Sequence, residues 1–239
     1  MPEQITLYGF RLSPFSEKVE LALKEGKIAH TYVDVNLFDK PAYFAAKVTS
    51  IGKVPAITYG GPTGVSPEDP SPLSTKLSES NVLLEFIADA YPEANLMPTS
   101  PTERAKVRFF MDAVSTKLSP AYFNWAGNRE EGAEEAFIKA IEFVQDLLHE
   151  NAEFAVGNSY TIADACITPY ADRLLLQIAT DIGKFPVGNG LKLGELLSTP
   201  KYAKYLGYVR ALANRPVTKD VFNEEYIKTL WSSKIYARA

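Results

Sequence analysis

One cysteine, two histidines and no apolar run long enough to span a bilayer occur among the 239 residues. Each scarcity removes a class of structure. A lone Cys166 cannot close an intrachain disulfide, and His30 with His149 are too few and too scattered to build a metal site from histidine and cysteine. Neither disulfides nor zinc are expected to hold the fold, and no metal cofactor is expected. Concentrated basic charge is missing as well: the formal net charge is −4 and no Lys/Arg run occurs, which argues against nucleic acid as a partner. The N-terminus, MPEQITLYGF, has neither the basic start nor the apolar stretch of a signal peptide. The expectation is a cytoplasmic protein with no membrane partner. What the chain does have is apolar content, 46% of its residues, enough for one substantial core or two modest ones.

Order along the chain favours two. ITLYGF, a helix from Pro14 and HTYVDVNL read as a βαβ unit, because Val33, Val35 and Leu37 alternate with polar neighbours in the last of these. A short helix over 41–47, the strand VPAITY, a strand over 73–77 and the helix SNVLLEFIADAYP complete the order βαβαββα. Between the last two strands, GGPTGVSPEDPSP cannot continue a ladder and reads as a long hairpin loop. The spacing then predicts helices over 102–125, 133–151, 162–180 and 200–214, with a last turn or two over 223–231. The fold class is therefore α/β plus all-α: an α/β domain over 1–93, a linker over 94–101 and an all-helical domain over 102–239.

Four places in the first domain combine into a possible site. Ser13 before Pro14 is a favoured N-cap and needs no function to explain it, yet a hydroxyl at a helix N-terminus can also donate to a thiolate. GKVPAI sets Val54-Pro55 at the start of a strand, where a cis bond would turn the backbone outward toward a peptide-like ligand; an ordinary trans proline is the plainer alternative. In LSESNVLLEF, Glu79 and Ser80 begin a helix whose free amides suit a carboxylate, while Glu79 suits an ammonium group. Lys40, in DKPAYF, can meet a further carboxylate or simply stay solvated.

These segments, with NLFDKPAYF, KVPAI, SES before VLLEFIADAYP, and NLMPTSPTERA, make nearly the whole chain resemble the cytosolic glutathione transferases, most closely the fungal omega-like branch. The resemblance implies a thioredoxin-like first domain, glutathione as co-substrate, and a homodimer. It also implies roles: Val54 and Pro55 for the cysteinyl part of glutathione, Glu79 and Ser80 for the γ-glutamyl end, Lys40 for the glycyl end, and Phe15 as a wall. Omega-like members usually carry cysteine where Ser13 stands, so the resemblance implies a serine-type variant whose hydroxyl supports the glutathione thiolate. Such an enzyme would conjugate glutathione to electrophiles or reduce hydroperoxides.

For a second substrate, SPAYFNWAGN supplies Tyr122, Phe123 and Trp125, and the helix after Thr161 supplies Tyr170, Arg173 and Leu174. Aromatic stripes of this kind are usually core, but part of the cluster is expected to face a cleft and stack on aromatic or polyphenolic molecules. A glutathione-dependent carrier of such molecules with little turnover is the alternative. A scaffold without chemistry would have no need of the complete set Lys40, Val54, Pro55, Glu79 and Ser80. Thr161 with Asp164, in TIADA, reads as a capping box.

Overall fold

In ITLYG successive side chains point to opposite faces, so Ile5 and Leu7 share one and Tyr8 takes the other. The computed structural model describes residues 3–128, 130–150 and 153–236, and it forms this segment as β1 (Ile5–Gly9). There follow α1 (Pro14–Glu25), β2 (Thr31–Asp34), β3 (Ala56–Tyr59), β4 (Thr75–Ser78) and α2 (Ser80–Ala90). The sheet runs β2-β1-β3-β4, with β1 and β2 parallel and the other neighbours antiparallel. A parallel pair requires a crossover, and α1 is that crossover.

Tyr8, Val35, Phe44, Val48 and Ala56 form a buried cluster on one face. Phe44 and Val48 belong to the segment expected as a short α-helix, which is instead a π-helical turn, Phe44–Val48. Against the sheet, α1 contacts β1, α2 contacts β3 and β4, and α1 packs along α2. The loop joining β3 to β4 is held down at several points. Gln4 Nε2 donates to Pro62 O at 3.0 Å, the Tyr8 hydroxyl donates to Pro67 O at 2.6 Å, and Lys47 pairs with Asp69 at 3.0 Å.

The chain divides between Met97 and Pro98 into two units. The second contains α3 (Pro101–Ala113), α4 (Ser119–Gly127), α5 (Ala133–Leu147), α6 (Ile162–Thr180), α7 (Asn189–Leu197), α8 (Ala203–Ala213), α9 (Pro216–Val221) and α10 (Glu224–Leu230). α6 is its axis: every residue from Ile162 to Leu174 is buried, and α3, α7 and α8 pack against it.

The helix expected over 102–125 is interrupted by a π-helical turn, Val114–Leu118, where the Ser119 N–H reaches Val114 O. Pro120 follows at once; it lacks the N–H that would continue the regular ladder. The helix expected to reach 151 ends at Leu147, and position 151 lies outside the described residues. α7 and α9 were not anticipated. Two glycines in NGLKLGELL look like turn signals, yet a Cβ at Gly190 would sit 2.9 Å from both Asp181 Oδ1 and Gln177 O. Glycine is there for close packing inside a helix, not to end one. No helix among the described residues is long and apolar enough to cross a membrane.

Candidate functional site

Strand register gathers the site. Ala56 pairs with Tyr8 on one side and with Ser78 on the other. The segment leaving β1 toward Ser13, the segment entering β3 through Val54 and Pro55, and the segment leaving β4 into Glu79 and Ser80 therefore share one end of the sheet. Both α1 and α2 begin there, so two sets of free amides and two positive dipole ends face the same region.

Ser13 is the N-cap of α1, with φ −81° and ψ 116°. Its Oγ accepts from the Ser16 N–H at 3.3 Å, and its own N–H donates to Phe10 O at 2.8 Å. An oxygen that only accepts keeps its hydrogen for another partner, and among the described residues the Ser13 O–H has no acceptor. Ser13 is 8% exposed. Ser16 is buried deeper, its Oγ accepting from the Phe10 N–H at 3.1 Å, and serves the turn.

Arg11 ties this turn to its surroundings. Its N–H donates to Asp34 Oδ1 at 3.3 Å, its guanidinium donates to Glu20 Oε2 at 2.8 Å, and its Cζ lies 3.8 Å from the centre of the Tyr32 ring. Burial pushes the Tyr32 hydroxyl far above the usual phenol range, with Arg11 pulling the other way, so this ring stays neutral. A Cβ at Gly9 would approach the Tyr32 hydroxyl to 2.7 Å, so that position must lack a side chain for the ring to close over the turn.

The Val54-Pro55 peptide bond is cis. Lys40 Nζ donates to Gly52 O at 2.7 Å, leaving two of its three hydrogens for an anion. Glu79 is the N-cap of α2 with φ 71° and ψ 108°, a left-handed backbone that a non-glycine residue adopts at a cost of roughly 1–3 kcal/mol. Strain of this kind persists only where the surroundings impose it. A groove of about 770 Å³ opens beside Glu79, lined by Val48, Thr49, Ile51, Pro70 and Lys76 among others.

The second-substrate expectation is corrected by burial. Tyr122, Trp125, Tyr170, Arg173 and Leu174 are interior residues of the helical unit and present no wall to a ligand. Trp125 is stacked between Phe137 and Phe185, with ring centres 5.0 and 4.7 Å away. The Tyr122 hydroxyl donates to Gln177 Oε1 at 2.8 Å, and Arg173 Nη1 donates to Pro169 O at 2.9 Å, so their polar ends are used internally. Phe123 alone of the six keeps partial exposure, its ring edge-on to Tyr170.

Within the first unit, Phe38 is linked to the Ser13 turn through Phe10. Phe38 is 56% exposed and meets Phe10 edge-on at 5.7 Å, and Phe10 O accepts the Ser13 N–H. Leu37 and Phe15 are exposed too. The signal was available, since two apolar residues in succession are out of place in the polar turn NLFDK.

The family profile "Glutathione S-transferase, N-terminal domain" matches residues 7–95. Glutathione transferase Omega 2C from Trametes versicolor is 40% identical, with 99% of this chain and 100% of that one covered at a TM-score of 0.92. Omega 2S from the same organism, solved in complex with 2,4-dihydroxybenzophenone, is 32% identical with both chains fully covered and a TM-score of 0.90. The rat glutathione S-transferase omega-1 is 28% identical over 180 residues, 73% of this chain and 69% of that one. With likeness of this extent, and with the cis-proline, the acidic-serine helix start and the capped α1 at one end of a thioredoxin-like sheet, the chain belongs to the omega-like glutathione transferases.

Proposed function

We propose that this chain is a serine-type transferase in which the Ser13 hydroxyl donates a hydrogen bond to the sulfur of glutathione and so favours its thiolate. Lys40 meets the glycyl carboxylate, the Val54 backbone beside Pro55 pairs with the cysteinyl unit, Glu79 takes the ammonium group, and Ser80 with the first amides of α2 takes the γ-glutamyl carboxylate. Phe15 closes one side. The observation that carries this reading is the uncommitted Ser13 hydrogen at the mouth of α1. The thiolate attacks an electrophile to form a thioether. With a hydroperoxide, two glutathione molecules become the disulfide while the peroxide becomes alcohol and water. Preorganised donors aimed at a developing or resident anion are the largest single contribution in such sites.

The partner of glutathione is an aromatic small molecule stacked on Phe38, with Phe15 as a further contact. One observation favours a second reading, that of a carrier with little turnover: the neighbour Omega 2S was solved holding 2,4-dihydroxybenzophenone.

The test is the ultraviolet absorbance of enzyme-bound glutathione thiolate titrated against pH, in the wild type and in Ser13→Ala. A thiol midpoint well below that of free glutathione, lost in S13A, supports the transferase. An unshifted midpoint in the wild type, together with tight binding of a hydroxybenzophenone, supports the carrier.

A further inference from the structure

We propose that Thr49 is a positioning residue that holds the three arms of the glutathione pocket in mutual register, acting through Gly52 and Ser78. This rests on the reading of Lys40, Val54 and Glu79 as glutathione contacts, and it adds a residue that the reading does not use. Thr49 is 7% exposed and leaves the π-helical turn in an extended conformation. Its N–H donates to Phe44 O at 3.0 Å, and its carbonyl accepts from the Gly52 N–H at 3.0 Å. Its Oγ1 accepts from the Ile51 N–H at 3.3 Å and shares a hydrogen bond with Ser78 Oγ at 2.9 Å.

The bonds to Gly52 and to Ser78 lead to the arms. Gly52 O is the acceptor that anchors the Lys40 ammonium. The turn closed by Thr49 and Gly52 runs directly into Val54 and Pro55. Ser78 immediately precedes Glu79, whose positive φ must be imposed from outside the residue itself. The Thr49–Ser78 bond is thus a side-chain bridge from the segment bearing the first two arms to the segment bearing the third. Backbone pairing of Ala56 with Ser78 sets the register of the strands, but it does not orient the residues beyond their ends. The hydroxyl bridge does that.

Thr49→Val keeps the branched shape and removes the hydroxyl, leaving the Ile51 N–H and the Ser78 hydroxyl without this partner. The expected result is a KM and a calorimetric Kd for glutathione raised about tenfold, the upper range for one net hydrogen bond. The electrophile KM and the kcat at saturating glutathione should stay within about twofold, because Ser13 is untouched. Thr49→Ser keeps the hydroxyl and should return the glutathione KM to within about twofold of wild type. Ser78→Ala should raise the KM similarly, and the double variant T49V/S78A should be no worse than T49V alone, since S78A removes only the bridge that T49V has already removed.

An unchanged glutathione KM in T49V, a fall in kcat without a change in KM, failure of T49S to rescue, or full additivity in the double variant would each overturn the proposal. Circular dichroism melts accompany every variant, and if T49V does not fold, S78A and T49S decide the matter by the same criteria. Wild-type binding separates the two levels. If glutathione fails to bind the wild type, the function reading and this inference fall together; if it binds wild type and T49V equally, only this inference falls.

Discussion

Under the proposed function, Ser13 has two duties that one substitution would remove together. Its oxygen caps α1 by accepting from Ser16, and its hydrogen has no acceptor among the described residues. Ser13→Ala should therefore lower stability by about 1 kcal/mol, the ordinary worth of an N-cap. It should also lower kcat/KM for glutathione conjugation by about 100-fold, the scale of losing one donor to an anionic centre. Urea unfolding and a conjugation assay measure the two losses separately, and a stability loss without an activity loss would reduce Ser13 to a cap. Ser13→Cys should introduce thiol-transfer activity, because a thiolate at a helix N-terminus can form a mixed disulfide with glutathione where an alcohol cannot. Ser13, Lys40, Glu79 and Ser80 could be named as candidates from the sequence because local chemistry marks them: a cap before proline, a lysine before proline, an acid and a serine opening a helix. Thr49 and Phe38 were not, because what distinguishes them is their partners, Ser78 and Phe10, which lie 29 and 28 positions away in sequence.

Helices show the same division. Thr161 and Asp164 cap α6 as TIADA suggests, Thr161 Oγ1 accepting from the Ala163 N–H and Asp164 Oδ2 accepting from the Thr161 N–H. The sequence does not reveal that Asp164 Oδ1 also accepts from the Ala155 N–H at 2.7 Å and from the Tyr208 hydroxyl at 2.8 Å. Burial raises the Asp164 carboxyl above the usual carboxylate range, while the hydrogen bonds from Ala155, Thr161 and Tyr208 pull it down. With the folded value above the unfolded one, the folded chain holds this proton more tightly. Its contribution is then fully present below the unfolded value of about 4 and is lost as pH rises through the folded value. The unfolding free energy of wild type minus that of Asp164→Asn should accordingly fall as pH is raised from about 4 toward 7. A difference that grows with pH would mean that the hydrogen bonds outweigh burial. In α4, Trp125→Ala should cost about 3–5 kcal/mol in urea unfolding, as large-to-small core changes do, with the electrophile KM of the folded protein unchanged. A raised electrophile KM without loss of stability would restore Trp125 to a ligand wall.

At the scale of the whole molecule, glutathione should raise the melting temperature of the wild type in a concentration-dependent way, because it binds the folded state alone. No rise at millimolar glutathione would remove the basis of the proposed function. We propose that the chain forms a homodimer; each unit leaves large apolar side chains uncovered, Val82 on α2 and Phe109 on α3 among them. Sedimentation equilibrium should give twice the chain mass, and Val82→Glu or Phe109→Glu should shift it toward the monomer if those faces are the ones covered. Composition and periodicity by themselves determined the α/β first part with its four strands, α1 and α2, and the helical remainder, though not the π-helical turn between β2 and β3, because apolar spacing and proline-glycine punctuation are local quantities. They also nominated the residues that the proposed function assigns to a tripeptide. Only the tertiary structure decided that Trp125, Tyr122 and Arg173 are core, that Gly190 lies inside a helix, and that a threonine hydroxyl bridges to the residue before Glu79. Those outcomes depend on which surfaces meet, and the free energy of burial and of closing a hydrogen bond is assigned by neighbours that the linear pattern leaves unspecified.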